Sequence, residues 1–183
     1  MNRIKLIEAE NAAPATASLY QAVKSKLGLV PNMVKALGNS STALEGYLGL
    51  SGAVSKGSLR PSTREKIALL LAEENSCEYC LRAHTAISGS LKIPAGEIAE
   101  ARRGTAYDVK EQTLLTLSKE ILETRGAVSD ETLQTARRAN VSDEEIAEVA
   151  ANVALNIYTN YFNRLAQTEN DFPAVEACSC QNA

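Results

Sequence analysis

Apolar residues along this chain recur at spacings of three and four, the period of a helix with one buried face. Between 109 and 125, Leu114, Leu115, Leu117, Ile121 and Leu122 form such a stripe, which predicts a helix packed on others and a place in the core. Between 142 and 166, Ile146, Val149, Ala150, Val153, Ala154, Ile157, Tyr161 and Phe162 cover a wide face of a helix that is long for a globular protein. Runs of alternating apolar and polar residues rich in Val, Ile and Thr are scarce, so no sheet is predicted. Breaks at Gly28 to Pro31, Gly57 to Pro61, Asn75 and Ser76, Gly89 to Pro94, Gly104 to Asp108, Gly126 to Ser129, and Asn140 to Ser142 divide the chain into about eight helices. The expected fold class is all-α. Two starts carry capping-box residues, Ser62 with Glu65 and Ser142 with Glu145, in which a hydroxyl and a carboxylate three residues on satisfy each other's orphan amides.

An internal repeat is one reading of the same pattern. Setting Glu144 on Glu65 places Ile146 on Ile67, Ala147 on Ala68, Ala151 on Ala72 and Tyr158 on Tyr79. A second copy would then keep a helix pair but carry Asn156, Thr159 and Asn163 where the first has Cys77, Cys80 and His84; chance similarity between alanine-rich helices is the other reading. The wide apolar face of the long helix exceeds what one modest core can hide, and this predicts a homo-oligomer. Tyr158 and Tyr161 fit a packed helix face, and Arg102 with Arg103 a solvated one.

With 183 residues, of which 45% are hydrophobic and 22% charged, the chain is expected to form one domain, 1–183, around one core. A formal net charge of -3 with no basic stripe argues against nucleic acid as a partner. The opening MNRIKLIEAENAAPATASLY has no continuous apolar run of the kind that directs secretion, and no stretch is long enough to span a bilayer, so the expected location is the cytoplasm.

Four cysteines fall in two close pairs, Cys77 with Cys80 and Cys178 with Cys180, and the one histidine, His84, follows Cys80 by four residues. In a reducing compartment close pairs point to redox chemistry or metal rather than to structural bridges. On a helix starting near Ser76, Cys77, Cys80 and His84 share one face, with Cys77 in the first turn. Free amides and the macrodipole at a helix start favour thiolate over thiol, and a histidine one turn beyond Cys80 can take its proton, so Cys80 is the favoured attacking thiol. Glu65 would lie about 18 Å from Cys77 along one straight helix. A chain reversal at Asn75 and Ser76, ending one helix and capping the next, brings Glu65 beside His84, where a carboxylate completes a relay from Cys80 through His84 to Glu65.

The segment REKIALLLAEENSCEYCLRAH, residues 64–84, resembles the AhpD-like family, the alkylhydroperoxidase and carboxymuconolactone decarboxylase superfamily, whose redox branch carries Glu, Cys-x-x-Cys and His at these spacings. The recognisable core covers about 61–90, and NIYTNYFNRLAQTENDFP is similar to the carboxy-terminal part of peroxidase-related members. The resemblance implies an AhpD-like helical domain that reduces a hydroperoxide: Cys80 attacks and becomes a sulfenic acid, Cys77 condenses with it to a disulfide, and Glu65 with His84 moves protons. It also implies an external reductant, a small dithiol or a lipoyl group on a partner protein, no bound cofactor or metal, and a trimer or hexamer. Tyr79 departs from the pattern, since the best-known members carry histidine between the cysteines.

Other readings stand beside this one. Two helical cysteines can be inert core residues, Glu65 can serve only its cap, and His84 can be a satisfied, partly buried side chain. Thiolate and imidazole also suit zinc, with Cys178 or Cys180 as a fourth ligand to a non-enzymatic helical scaffold. Kinship alone suggests a decarboxylase acting on a ring lactone, a chemistry that needs no dithiol. The tail pair Cys178 and Cys180 is given no role.

Overall fold

The computed structural model describes residues 2–175, and Cys178 and Cys180 lie outside them. Among the described residues there are nine α-helices and no strand: α1 (Pro14–Leu27), α2 (Asn32–Leu37), α3 (Ser41–Val54), α4 (Pro61–Glu74), α5 (Glu78–Ser90), α6 (Ala95–Arg102), α7 (Val109–Thr124), α8 (Asp130–Arg138) and α9 (Asp143–Ala166). The all-α expectation holds, and each of the seven expected breaks lies at a helix boundary. The additional helix comes from an eighth break at Gly38 to Ser40. There the Ser40 hydroxyl accepts from Ala43 N at 3.2 Å, and a Cβ on Gly38 would collide with the Tyr20 hydroxyl. An isolated glycine in a helical pattern is ordinarily tolerated, so the packing of Tyr20, remote in sequence, is what makes this one a boundary.

Helix α4 is the hub of the fold, packed against α5, α6, α7 and α9. Its run Lys66 to Ala72 is buried all round, as a helix apolar on most of its circumference must be. One core cluster joins Ile67, Leu70 and Leu71 of α4 to Leu114, Leu115 and Leu117 of α7 and to Val149 and Val153 of α9, with Ile121 and Leu122 packed at its margin. The other gathers Tyr20, Met33, Val34 and Leu44 around Ala72, Cys77, Tyr79 and Cys80. Phe162 packs on this second cluster, so α9 bridges both.

Only one of the two expected capping boxes exists. At α9 the Ser142 hydroxyl accepts from Glu145 N at 3.1 Å and the Glu145 carboxylate accepts from Ser142 N at 2.9 Å. Ser142→Ala is expected to lower stability by about 1 kcal/mol, read as a lower urea midpoint with an unchanged slope. At α4 the expectation fails: Pro61, with φ preset and no N–H, is already inside the helix, Arg60 flanks it, and no side chain caps it. Glu65 is therefore released from capping.

Three further expectations are corrected. The second copy of the repeat keeps no helix pair, because α9 runs unbroken where α4 and α5 are separated. Tyr158 and Tyr161 are 37% and 55% exposed, and with Leu165 at 63% they form part of an outward apolar stripe rather than a packed face. Arg103 is exposed, but the Arg102 side chain is 10% exposed, its Nε donating to Glu73 at 2.8 Å. Among the described residues no helix is long and apolar enough to cross a membrane.

Candidate functional site

The turn between α4 and α5 builds the site from local backbone chemistry. Asn75 ends α4, Ser76 takes a left-handed conformation at φ 51°, Ser76 N donates to Glu73 O at 2.9 Å, and Cys77 N donates to Ala72 O at 2.8 Å. These two bonds close a Schellman motif, the usual device for stopping a helix and turning the chain sharply. The residue that satisfies the last carbonyls of α4 then begins α5. Cys77, not Ser76, is its cap, and its sulfur accepts from Cys80 N at 3.3 Å as a serine oxygen would. Cys77 and Cys80 are joined as a disulfide across one turn, with Cα atoms 5.3 Å apart.

Reversal of the chain at this turn lays α5 along α4 and brings Glu65 to His84, Oε2 to Nδ1 at 2.8 Å. Against an ionised carboxylate Nδ1 is the donor, which leaves Nε2 as the basic nitrogen of a neutral ring. Both side chains are partly buried, 17% and 22% exposed. Glu65, His84 and Cys80 line one cavity of about 440 Å³; Cys77 does not line it. Tyr47 and Ser51 of α3, Asn152, Asn156, Thr159 and Asn163 of α9, and Phe172 complete much of the wall. The Tyr47 hydroxyl is held above its ordinary pKa by burial and by the Glu65 charge, against the opposing effect of a Ser51 hydrogen bond, and so stays protonated at neutral pH.

Residues 42–119, which include Glu65, Cys77, Cys80 and His84, match the carboxymuconolactone decarboxylase family. Over that stretch the chain is similar to the family, and its helical fold is AhpD-like. No curated protein matches its sequence. Among solved structures, an alkylhydroperoxidase AhpD core protein, an uncharacterized peroxidase-related protein from Ralstonia eutropha JMP134, superposes with a TM-score of 0.84 at 18% identity, over 93% of this chain and 92% of that one. An uncharacterized peroxidase-related protein from Silicibacter sp. TM1040 gives 0.78 at 20% identity, over 92% and 94%. The debrominase Bmp8, as a variant in complex with 2,3,4-tribromopyrrole, gives 0.77 at 16% identity, over 92% and 91%. At these identities the likeness is one of fold.

Tyr79, the residue that departs from the AhpD-like pattern, is anchored by both its hydroxyl and its ring. Its hydroxyl donates to Asp171 Oδ1 at 2.8 Å and accepts from Met33 N at 3.1 Å, and its ring meets Phe172 edge-on at 5.6 Å. Burial raises its pKa, and the Asp171 charge adds to this, so it stays a neutral phenol. Asp171 Oδ2 also accepts from Asn32 N at 2.8 Å, so the segment after α9 is pinned to the start of α2 through Tyr79. Tyr79→Phe is expected to cost about 2 kcal/mol, as for a lost hydrogen bond to a charged group, and to speed hydrogen exchange at the amides of Asn32 and Met33.

The four residues singled out in the sequence are thus brought together around one turn. What the sequence reading lacked is the opposite wall: Tyr47, Phe172 and the Asn152 to Asn163 face of α9. Asn156, Thr159 and Asn163 had surfaced only as the supposed degenerate counterparts of Cys77, Cys80 and His84. They instead line the cavity into which Cys80 opens. Among the described residues no three His, Cys, Asp or Glu side chains group as a metal would require; Cys178 and Cys180, the candidates for fourth ligand in the zinc reading, lie outside them.

Proposed function

We propose that the chain is a thiol-dependent peroxidase with Cys80 as the peroxidatic cysteine, Cys77 as the resolving one, and His84 with Glu65 as the proton relay. The observation that carries this reading is the asymmetry of the pair: Cys80 lines the cavity beside the bonded Glu65 and His84, while its disulfide partner Cys77 does not. In the first step His84 takes the Cys80 proton and the thiolate attacks one peroxide oxygen. An S–O bond forms, the O–O bond breaks, and the leaving alkoxide receives the proton held by His84. In the second step Cys77 sulfur attacks the Cys80 sulfenic acid, an S–S bond forms and water leaves. Two electrons pass from the dithiol to the peroxide, and ROOH becomes ROH and water.

An external dithiol then returns the pair to the reduced state by exchange. Cys77 is 1% and Cys80 3% exposed, so a flat protein surface cannot reach them, whereas a small dithiol or a lipoyl arm entering the cavity can touch Cys80. We assign the protein to the cytoplasm and to a homo-oligomer, trimer or hexamer, with the outward stripe of α9 as a contact face. The test is consumption of an alkyl hydroperoxide by metal-free protein supplied with dihydrolipoamide. Catalytic turnover supports the reading. Absence of turnover by protein whose Cys77 and Cys80 are shown to be reduced removes it, and ring-lactone decarboxylation is then assayed.

A further inference from the structure

One polar group at the cavity has no place in the relay. Asn163 of α9 is 3% exposed, its Nδ2 donates to Cys80 Sγ at 3.4 Å, and its Oδ1 is buried without a hydrogen-bond partner. Its neighbours on the same face spend their donors on their own helix: Asn156 Nδ2 on Asn152 O at 2.9 Å, and the Thr159 hydroxyl on Asn156 O at 3.1 Å. Asn163 is turned to the sulfur instead. A disulfide sulfur or a thiolate only accepts, so the amide has to present its nitrogen there, and the orphaned oxygen follows from that choice. Buried amide oxygens without a donor are rare in folded proteins and costly where they occur. One that lies beside a reactive sulfur and lines a cavity has the geometry of an acceptor awaiting a ligand's hydrogen.

We propose that Asn163 is a catalytic residue with two tasks: its Nδ2 stabilises the Cys80 thiolate, and its Oδ1 accepts the hydrogen on the peroxide oxygen that the thiolate attacks. The second task rests on the peroxidase reading; the first does not. In the balanced step, the oxygen that bonds to sulfur keeps its hydrogen throughout, first as the terminal O–H of ROOH and then as the O–H of the sulfenic acid. Oδ1 holds that hydrogen on both sides of the transfer. The proton taken from Cys80 travels separately, through His84 to the leaving alkoxide. Besides Cys80 itself, the charged and titratable groups that share the cavity are Lys26 of α1, Tyr47 of α3, Arg64 and Glu65 of α4, and Tyr79 and His84 of α5; α9 contributes none to it. Hydrogen bonding from Asn163 is therefore a fixed, uncharged contribution.

The experiment uses the full chain with Cys77, Cys178 and Cys180 replaced by serine, so that Cys80 is the one thiol, and compares Asn163 with Asn163→Leu and Asn163→Asp. Leucine has a similar volume without donor, acceptor or charge; aspartate keeps the shape and substitutes an oxygen for the donor. The pH profile of iodoacetamide alkylation is measured with circular dichroism as the folding control. Its midpoint is expected to rise by about one pH unit with leucine and by more with aspartate, as for loss of a hydrogen bond to a charged group. Equal midpoints in all three, or a shift with aspartate alone, overturn the first task, since the latter reads only the added charge. Sulfenic acid formed with cumene hydroperoxide is then trapped with dimedone. The second task predicts at least about tenfold slower trapping with leucine at a pH where Cys80 is ionised in both proteins. Equal rates overturn it. A midpoint shift with no sulfenic acid in the Asn163 protein retains the first task and overturns the second together with the peroxidase reading.

Discussion

Serine in place of Cys80 is expected to slow dihydrolipoamide-dependent peroxide consumption by at least about a thousandfold, the scale on which enzymes lose rate when their nucleophile is removed. A serine hydroxyl in this setting is neither ionised at neutral pH nor able to become a sulfenic acid, and no neighbouring group replaces it as acceptor of the peroxide oxygen. Serine in place of Cys77 should behave differently. Cys80 still lines the cavity beside His84 and Glu65, so one equivalent of peroxide is consumed and a dimedone-trappable sulfenic acid accumulates, but the second step stops. Stopped-flow consumption with mass spectrometry of Cys80 separates the two variants. Wild-type rates in Cys80→Ser would remove the chemistry from this cysteine.

The largest expected loss of stability lies elsewhere, at Lys66. Its side chain is 6% exposed and its Nζ lies 2.6 Å from Glu111 Oε2 and 2.6 Å from Glu97 Oε2; Glu111 is equally buried and also accepts from the Thr63 hydroxyl at 3.0 Å. Lys66→Met keeps the volume but strands the Glu111 carboxylate, and breaking one side of a buried pair costs about 3–5 kcal/mol. Thr63, and Arg60 at 3.6 Å, remain beside Glu111, so the lower end, about 3 kcal/mol, is expected by urea unfolding at pH 7.

The pH dependence has a definite sign. Burial works to lower the Lys66 pKa, but the bonds and charges of Glu111 and Glu97 outweigh it and hold the pKa above its ordinary 10.5. The stabilisation is complete below that ordinary value and is lost as pH rises through the folded one. The variant lacks this contribution, so its deficit against wild type is full at pH 7 and shrinks as pH rises through the folded Lys66 pKa. Adding Glu111→Gln should restore part of the loss at pH 7. A deficit that stays constant with pH would place the cost in packing rather than in the stranded charge.

Much of the fold was legible because helices are local objects. Period, glycine and proline punctuation, and the capping box at Ser142 depend on residues within a turn or two of one another. The misjudged features have tertiary or register causes. Gly38 ends a helix because Tyr20 packs against it, and Ser62 fails as a cap because Pro61 starts the helix one residue earlier. The outward tyrosines of α9 and the covered Arg102 depend on which faces meet, and a pattern of residue types does not contain that.

The candidate site divides along the same line. By itself the sequence determined the half of the site that one turn and one reversal can build: Cys77 and Cys80 a turn apart, His84 a turn further, and Glu65 returned to His84 by a break between two helices of similar length. Only the tertiary structure decided which sulfur opens into a cavity and what faces it. Cys80 meets Asn163 across 83 residues, and Tyr79 meets Asp171 across 92. The physical reason is range. Backbone geometry dictates neighbours three and four residues apart, whereas partners this distant meet because α9 must bury its inner face against α4 and α5, and that requirement belongs to the whole core rather than to any segment of it.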